Sequence, residues 1–170
     1  MPRIILAGYM GAGKTSVGLK LSDRISVPFY DLDNLISNEV KLSVPDIFKS
    51  KGEIWFRKKE HEMLHHFVST TENFILSLGG GTPCYANNHL VLQQNDIDSF
   101  YLKARVSTLV QRLSEEKNER PLLQNINDLP SFIGQHLFER SYFYNFCKYT
   151  INCDDLEINE ICSEIIKILT

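Results

Sequence analysis

A lysine and a hydroxyl set behind closely spaced glycines, Gly8-Tyr9-Met10-Gly11-Ala12-Gly13-Lys14-Thr15, could hold the phosphates of a nucleotide. The spacing is G-x-x-x-x-G-K-[ST], and it lies between an apolar run, Ile4-Ile5-Leu6-Ala7, and a stretch with helical periodicity. Glycines let successive backbone N–H groups turn inward around an anion with no Cβ in the way. The helix expected from Lys14 to about Ile25 adds the positive end of its dipole. Lys14 can reach the β- and γ-phosphates of ATP, and the Thr15 hydroxyl can ligate Mg²⁺.

Two carboxylates, Asp31 and Asp33, follow the short strand expected at Phe29-Tyr30-Asp31, at the end of the sheet where open α/β folds bind ligands. Strand alternation would point both the same way, toward the phosphate loop. Either could instead cap the helix expected over residues 34–40. Glu60 falls on the apolar side of a helix expected over residues 53–69, between Phe67 and Leu64, with Arg57 three residues away. A carboxylate there needs a partner. The pair is either a structural ion pair or a device by which Glu60 orients Arg57 toward an anionic ligand. Gly79-Gly80-Gly81 closes the apolar strand expected over residues 74–78, which suits close approach of a ligand to backbone, or a plain turn. The charged, proline-containing segment 114–128 suits a mobile lid that carries Arg120 to a nucleotide, or an ordinary exposed loop.

One motif points elsewhere. His61-Glu62-Met63-Leu64-His65 matches the H-E-x-x-H pattern of zinc hydrolases. On a helical wheel both histidines lie opposite Phe56, Met63, Leu64 and Phe67, near Lys58 and Glu62, so a solvated polar face is expected there rather than a zinc site.

The elements that must position these groups alternate strand and helix, which predicts an α/β fold with a parallel sheet. Strands are expected at residues 3–7, 29–31, 74–78, 99–102 and 149–152. Between and after them come helices near 44–51, with Ser43 as cap and Pro45 in the first turn, at 88–94, from Val106, over 130–142 with Phe132, Ile133, Leu137 and Phe138 on one side, and at the C-terminal end. A length of 170 residues suits a single domain over 1–170, and 43% hydrophobic residues exclude a disordered chain. A formal charge of −3 disfavours nucleic acid as a partner, and no run reaches membrane-spanning length. The four cysteines form no C-x-x-C and are read as free thiols in a reducing compartment, the cytoplasm.

Taken in order, the phosphate loop, Asp31-x-Asp33, Phe56-Arg57-x-x-Glu60, Gly79-Gly80-Gly81, Arg120-Pro121-Leu122-Leu123 and Arg140-x-x-x-Tyr144 resemble the shikimate kinases over nearly the whole chain. The resemblance implies a three-layer sandwich around a five-stranded parallel sheet of order 2-3-1-4-5, a P-loop NTPase type with a lid. It implies ATP-dependent phosphorylation of the 3-hydroxyl of shikimate, on the route to chorismate and the aromatic amino acids, by a monomer using Mg²⁺. Gly11, Ala12, Gly13, Lys14, Thr15 and Ser16 would bind ATP, with Arg120 reaching the phosphates and Arg112 stacking on adenine. Thr15 would ligate the metal and Asp31 would hold it through water. Asp33 would bind shikimate and orient or deprotonate the nucleophile. Arg57 and Arg140 would clamp the substrate carboxylate, with Glu60 orienting Arg57. Gly79, Gly80 and Gly81 would bind the substrate, Gly80 touching its ring hydroxyls, and Phe48 and Phe56 would wall the pocket. The chain departs from the family pattern at Leu78, often a threonine, and at Asn152, often an aspartate, with no arginine following. Rival readings are a P-loop kinase for gluconate or a nucleotide, and a nucleotide-binding module without turnover. Arg57, Arg140 and the triple glycine argue against the first, Asp33 and Arg120 against the second.

Overall fold

The computed structural model describes residues 1–116, 123 and 125–170. The elements run β1 (Arg3–Ala7), α1 (Lys14–Ile25), β2 (Phe29–Asp31), α2 (Leu32–Val40), α3 (Val44–Lys51), α4 (Glu53–Thr70), β3 (Phe74–Ser77), β4 (Asp98–Lys103), α5 (Val106–Glu115), α6 (Leu129–Tyr144), β5 (Tyr149–Asn152) and α7 (Ile158–Leu169). All paired strands are parallel, in the order β2-β3-β1-β4-β5. Ile4, Ile5 and Leu6 point alternately to opposite faces, and all three are fully buried, so helices cover both sides of the sheet. α1 packs on α7, α5 on α6, and α2 and α3 on α4.

The order places β1 in the centre, between β3 and β4. The phosphate loop leaves β1 and the triple glycine leaves β3, so both emerge side by side at the same end of the sheet. Local chemistry sets the helix starts. Ser43 Oγ accepts from the Asp46 N–H with Pro45 in the first turn, as expected. A Glu157/Glu160 capping box opens α7.

Three expectations need correction. Residues Asn88–Gln93 form a 3-10 segment, not an α-helix. Its bonds run i to i+3, from Leu90 N to Asn87 O and from Gln94 N to Val91 O, and the eclipsed pair Asn88 and Val91 is buried. Phe138 is 84% exposed, because the buried stripe of α6 runs from Ile133 toward Leu137 and the next residue turns about 100° away from it. Asp33 does not lie on a strand, since β2 ends at Asp31 and α2 begins at Leu32. Alternation therefore has no part in aiming it. Arg120 and the rest of 117–122, with residue 124, lie outside the described residues. Within the same segment Leu123 is fully buried. Among the described residues no helix is long and apolar enough to cross a membrane.

Candidate active site

A cleft of about 780 Å³ opens at the strand ends, lined by Met10 to Val17, Asp31, Asp33, Ser77 to Gly80, Arg112 and Asp154 to Ile158. The phosphate loop forms its floor. Gly13, at φ 96°, precedes α1 in a left-handed conformation that side chains with a Cβ rarely adopt. Lys14 is 9% exposed and lies back along the loop, donating to the carbonyls of Gly8 at 2.7 Å and Tyr9 at 3.0 Å. Arg112 reaches from α5 to the carbonyls of Gly11 at 3.1 Å and Ala12 at 3.3 Å, so its guanidinium is bonded to the phosphate loop. Asp154, Asp155 and Leu156 also line the cleft, which sequence reasoning did not assign.

The two aspartates separate in role. Asp31 caps α2, its Oδ1 accepting from Asn34 N at 3.2 Å, and it also lines the cleft. Capping therefore does not keep that residue out of the cleft. Asp33, in the first turn of α2, is held up to about pKa 6 by burial first, then by the negative charges of Asp31 and Glu60, with Lys14 and Arg57 pulling the other way. A carboxyl with that value is half ionised near pH 6 and mostly ionised, yet still a usable base, at neutral pH, which suits proton transfer.

The arginines converge on the glycine loop. A Cβ on Gly81 would come within 2.5 Å of Arg57 Nη2, and one on Gly80 within 3.1 Å of Arg140 Nη1. Glycine there leaves room for both guanidiniums against the backbone. Arg57 Nη1 donates to Glu60 Oε1 at 2.9 Å, and the Glu60 side chain is 1% exposed. Arg57 also lies over the Phe56 ring, and Phe56 packs on Phe48 with ring centroids 4.7 Å apart. Phe56 is buried and Phe48 half-buried, so Phe56 backs the arginine while Phe48 is the more open of the two. Tyr144 Oη donates to Gly80 O, and Tyr9 shares a hydrogen bond of 2.9 Å with His136 Nδ1 on α6. Burial, then the charge of Arg140, keeps His136 below the usual histidine range and therefore neutral near pH 7. These ties, together with those of Thr82 and Asn88, were not found from sequence. They join residues far apart in the chain, and no periodicity marks them.

The histidine motif also needs correction. His65 is exposed, but His61 is half-buried and bonded to Asn88 Oδ1 at 2.6 Å, so it is not on a solvated face. The wheel located its side of the helix correctly, but the 3-10 segment at Asn88–Gln93 covers part of that side. Among the described residues no group of three or more His, Cys, Asp and Glu side chains could hold a metal. Purified protein is expected to contain no stoichiometric zinc and to need added Mg²⁺ for turnover. Metal analysis and activity with and without EDTA check this, and unit zinc occupancy would overturn it.

A sequence model of the shikimate kinase family matches residues 10–170. The chain belongs to that family. A shikimate kinase of Flavobacterium psychrophilum is 50% identical over 171 residues, covering 99% of each chain. Among solved structures, a shikimate kinase from Bacteroides thetaiotaomicron superposes with a TM-score of 0.91 at 36% identity, over 99% of this chain and 98% of that one. A shikimate kinase from Acinetobacter baumannii in complex with shikimate gives 0.89 at 31% identity, over 99% and 93%. Shikimate kinases are phosphotransferases, and this member of the family is a kinase on the five-stranded sheet that its motifs predicted.

Proposed function

We propose that residues 1–170 act as one catalytic unit that transfers the γ-phosphoryl group of ATP to the 3-hydroxyl of shikimate, with the roles that follow. Residues 11–16 cradle the phosphates and Lys14 neutralises charge on them. Thr15 and Asp31 offer hard oxygen donors in one cleft, which fits Mg²⁺ carried in with the nucleotide. The metal, when bound, supplies charge neutralisation on the phosphates. Asp33 takes or orients the proton of the attacking hydroxyl. Arg57 and Arg140 hold the substrate carboxylate against Gly79, Gly80 and Gly81, and Glu60 aims Arg57. Phe48 and Phe56 bound that side of the pocket. Arg112 stands at the nucleotide end, and Arg120 meets the phosphates as the charge shifts.

The observation that carries this reading is the convergence of two arginines on one glycine loop, beside a carboxyl near pKa 6 and across from a phosphate loop. A hydroxylated carboxylic acid is the acceptor that matches. An arginine fork binds a planar carboxylate through two parallel N–H···O bonds, while the aspartate and backbone groups meet hydroxyls.

The test is ADP release on addition of shikimate, with Arg57→Lys as the discriminating variant. Lysine keeps the charge and loses the fork. The KM for shikimate should rise roughly tenfold or more, a loss of about 1.4 kcal/mol, while the KM for ATP stays near wild type. Shikimate methyl ester should be a poor acceptor for wild type and lose little more in the variant. An ester that serves as well as the acid would remove the carboxylate clamp from this account.

A further inference from the structure

Glu60 has two carboxylate oxygens and a side chain shut off from water, so each oxygen needs its own donor. Arg57 supplies one. The other, Oε2, takes the Thr82 hydroxyl at 2.8 Å, and Thr82 is fully buried. Thr82 opens the 3-10 turn Thr82–Cys84 directly after the triple glycine. Its backbone is gripped as well. Asn88, also fully buried, donates from Nδ2 to Thr82 O at 3.0 Å. Since Nδ2 is spent as donor there, Asn88 Oδ1 is the acceptor, and His61 Nδ1 carries the proton that meets it at 2.6 Å. Two consecutive residues of α4, Glu60 and His61, thus hold the same turn, one through the threonine hydroxyl and one through its carbonyl by way of Asn88. The turn in turn carries the loop on which both arginines rest.

The hydroxyl also stands at a crowded point. A Cβ on Gly79 would lie 3.1 Å from Thr82 Oγ1, 3.1 Å from Asp33 Oδ1 and 3.4 Å from Glu60 Oε2. One donor is therefore set where two carboxylates approach, and it is directed to Glu60. If that donor is removed, Oε2 is left bare in a site closed to water. The carboxylate then has reason to turn to its other partner, and Arg57 loses the fixed aim that one oxygen bound elsewhere provides.

We infer that Thr82 is a positioning residue of the acceptor site, its hydroxyl locking Glu60 so that Glu60 presents Arg57 to the substrate carboxylate. The inference rests on the shikimate reading of the cleft. It also accounts for the first histidine of the H-E-x-x-H motif, which serves as a strut for this turn.

Thr82→Val keeps the branched shape and deletes the hydroxyl, whereas Thr82→Ser keeps the hydroxyl and deletes a methyl. In Thr82→Val the KM for shikimate should rise roughly five- to tenfold, the scale of one ordinary lost hydrogen bond, with kcat and the KM for ATP within about threefold of wild type. Thr82→Ser should return the shikimate KM to within about twofold of wild type, which a mere packing role would not do. In a Glu60→Ala background Thr82→Val should change the shikimate KM little further, because the partner is already gone. A folded Thr82→Val with unchanged shikimate KM, a serine variant no better than valine, or fully additive effects with Glu60→Ala would overturn the inference. Wild-type protein that releases no ADP with shikimate would instead overturn the reading of the cleft beneath it.

Discussion

Asp33→Asn is expected to lower kcat by roughly 10²–10⁴-fold, the range of a lost general base, while leaving ATP affinity nearly unchanged. The substitution keeps shape and removes both the charge and the proton acceptor. The same residue sets a pH limb. Its folded-state value is raised to about 6, and a general base works only when ionised, so on the proposed role kcat/KM for shikimate should rise with pH through that region. Residual activity of Asp33→Asn should lack the limb. The physical causes can be separated too. Burial is the largest, and the neighbouring charges of Asp31 and Glu60 add to it. Removing the Glu60 charge should therefore shift the limb downward. A wild-type limb in the ordinary aspartate range would sink the base assignment. Collapse of ATP affinity with kcat preserved would move Asp33 to the metal site.

The second large effect is expected at Lys14. Lys14→Met retains the aliphatic stem and removes the ammonium. A loss in kcat of roughly 10²–10³-fold is expected, as for other preorganised donors aimed at charge that develops in the transition state. The structure adds a detail. The ammonium is nearly buried and bonded to the carbonyls of Gly8 and Tyr9, within the loop that must receive the phosphates. The expected damage therefore has two parts, a weaker hold on nucleotide and a lower rate once it is bound. Nucleotide titration followed by single-turnover phosphoryl transfer separates them. A variant that binds ATP more weakly and still transfers at the wild-type rate would confine Lys14 to ground-state binding.

The fold and the main residues of the candidate site were legible where the signals are local. Ile4 to Ala7 followed by the glycine loop identifies β1, its turn and α1 within a few residues. Glu60 announced itself as a charge on an apolar stripe, and the structure places it fully buried against Arg57. What escaped was set by contacts across the sequence. Tyr9 meets His136 across 127 positions, and Tyr144 meets Gly80 across 64. Neither residue type nor spacing encodes those meetings. His61 was misjudged for the same reason, since its partner, Asn88, is 27 residues away. Asp33 was expected in the cleft through strand alternation, but the first turn of α2 delivers it there, so the residue was found through an argument that does not apply. Asp31 shows the opposite case, where capping and cleft lining, taken as alternatives, coexist in one side chain.

The central place of β1 has a consequence for how the protein comes into being. Ile4 pairs with Ile75 on one side and Asp98 on the other, so β1 must wait for strands about 70 or more residues later before either edge is satisfied. Until then Ile4, Ile5 and Leu6, all of them buried in the end, have no sheet to join. Such long-range parallel pairing slows folding and leaves an apolar edge open to other chains. On a translating ribosome the phosphate loop would emerge well before β3 and β4 and take shape only with them. Substitutions that weaken β1 should reduce the yield of folded enzyme well before they alter the chemistry of what does fold.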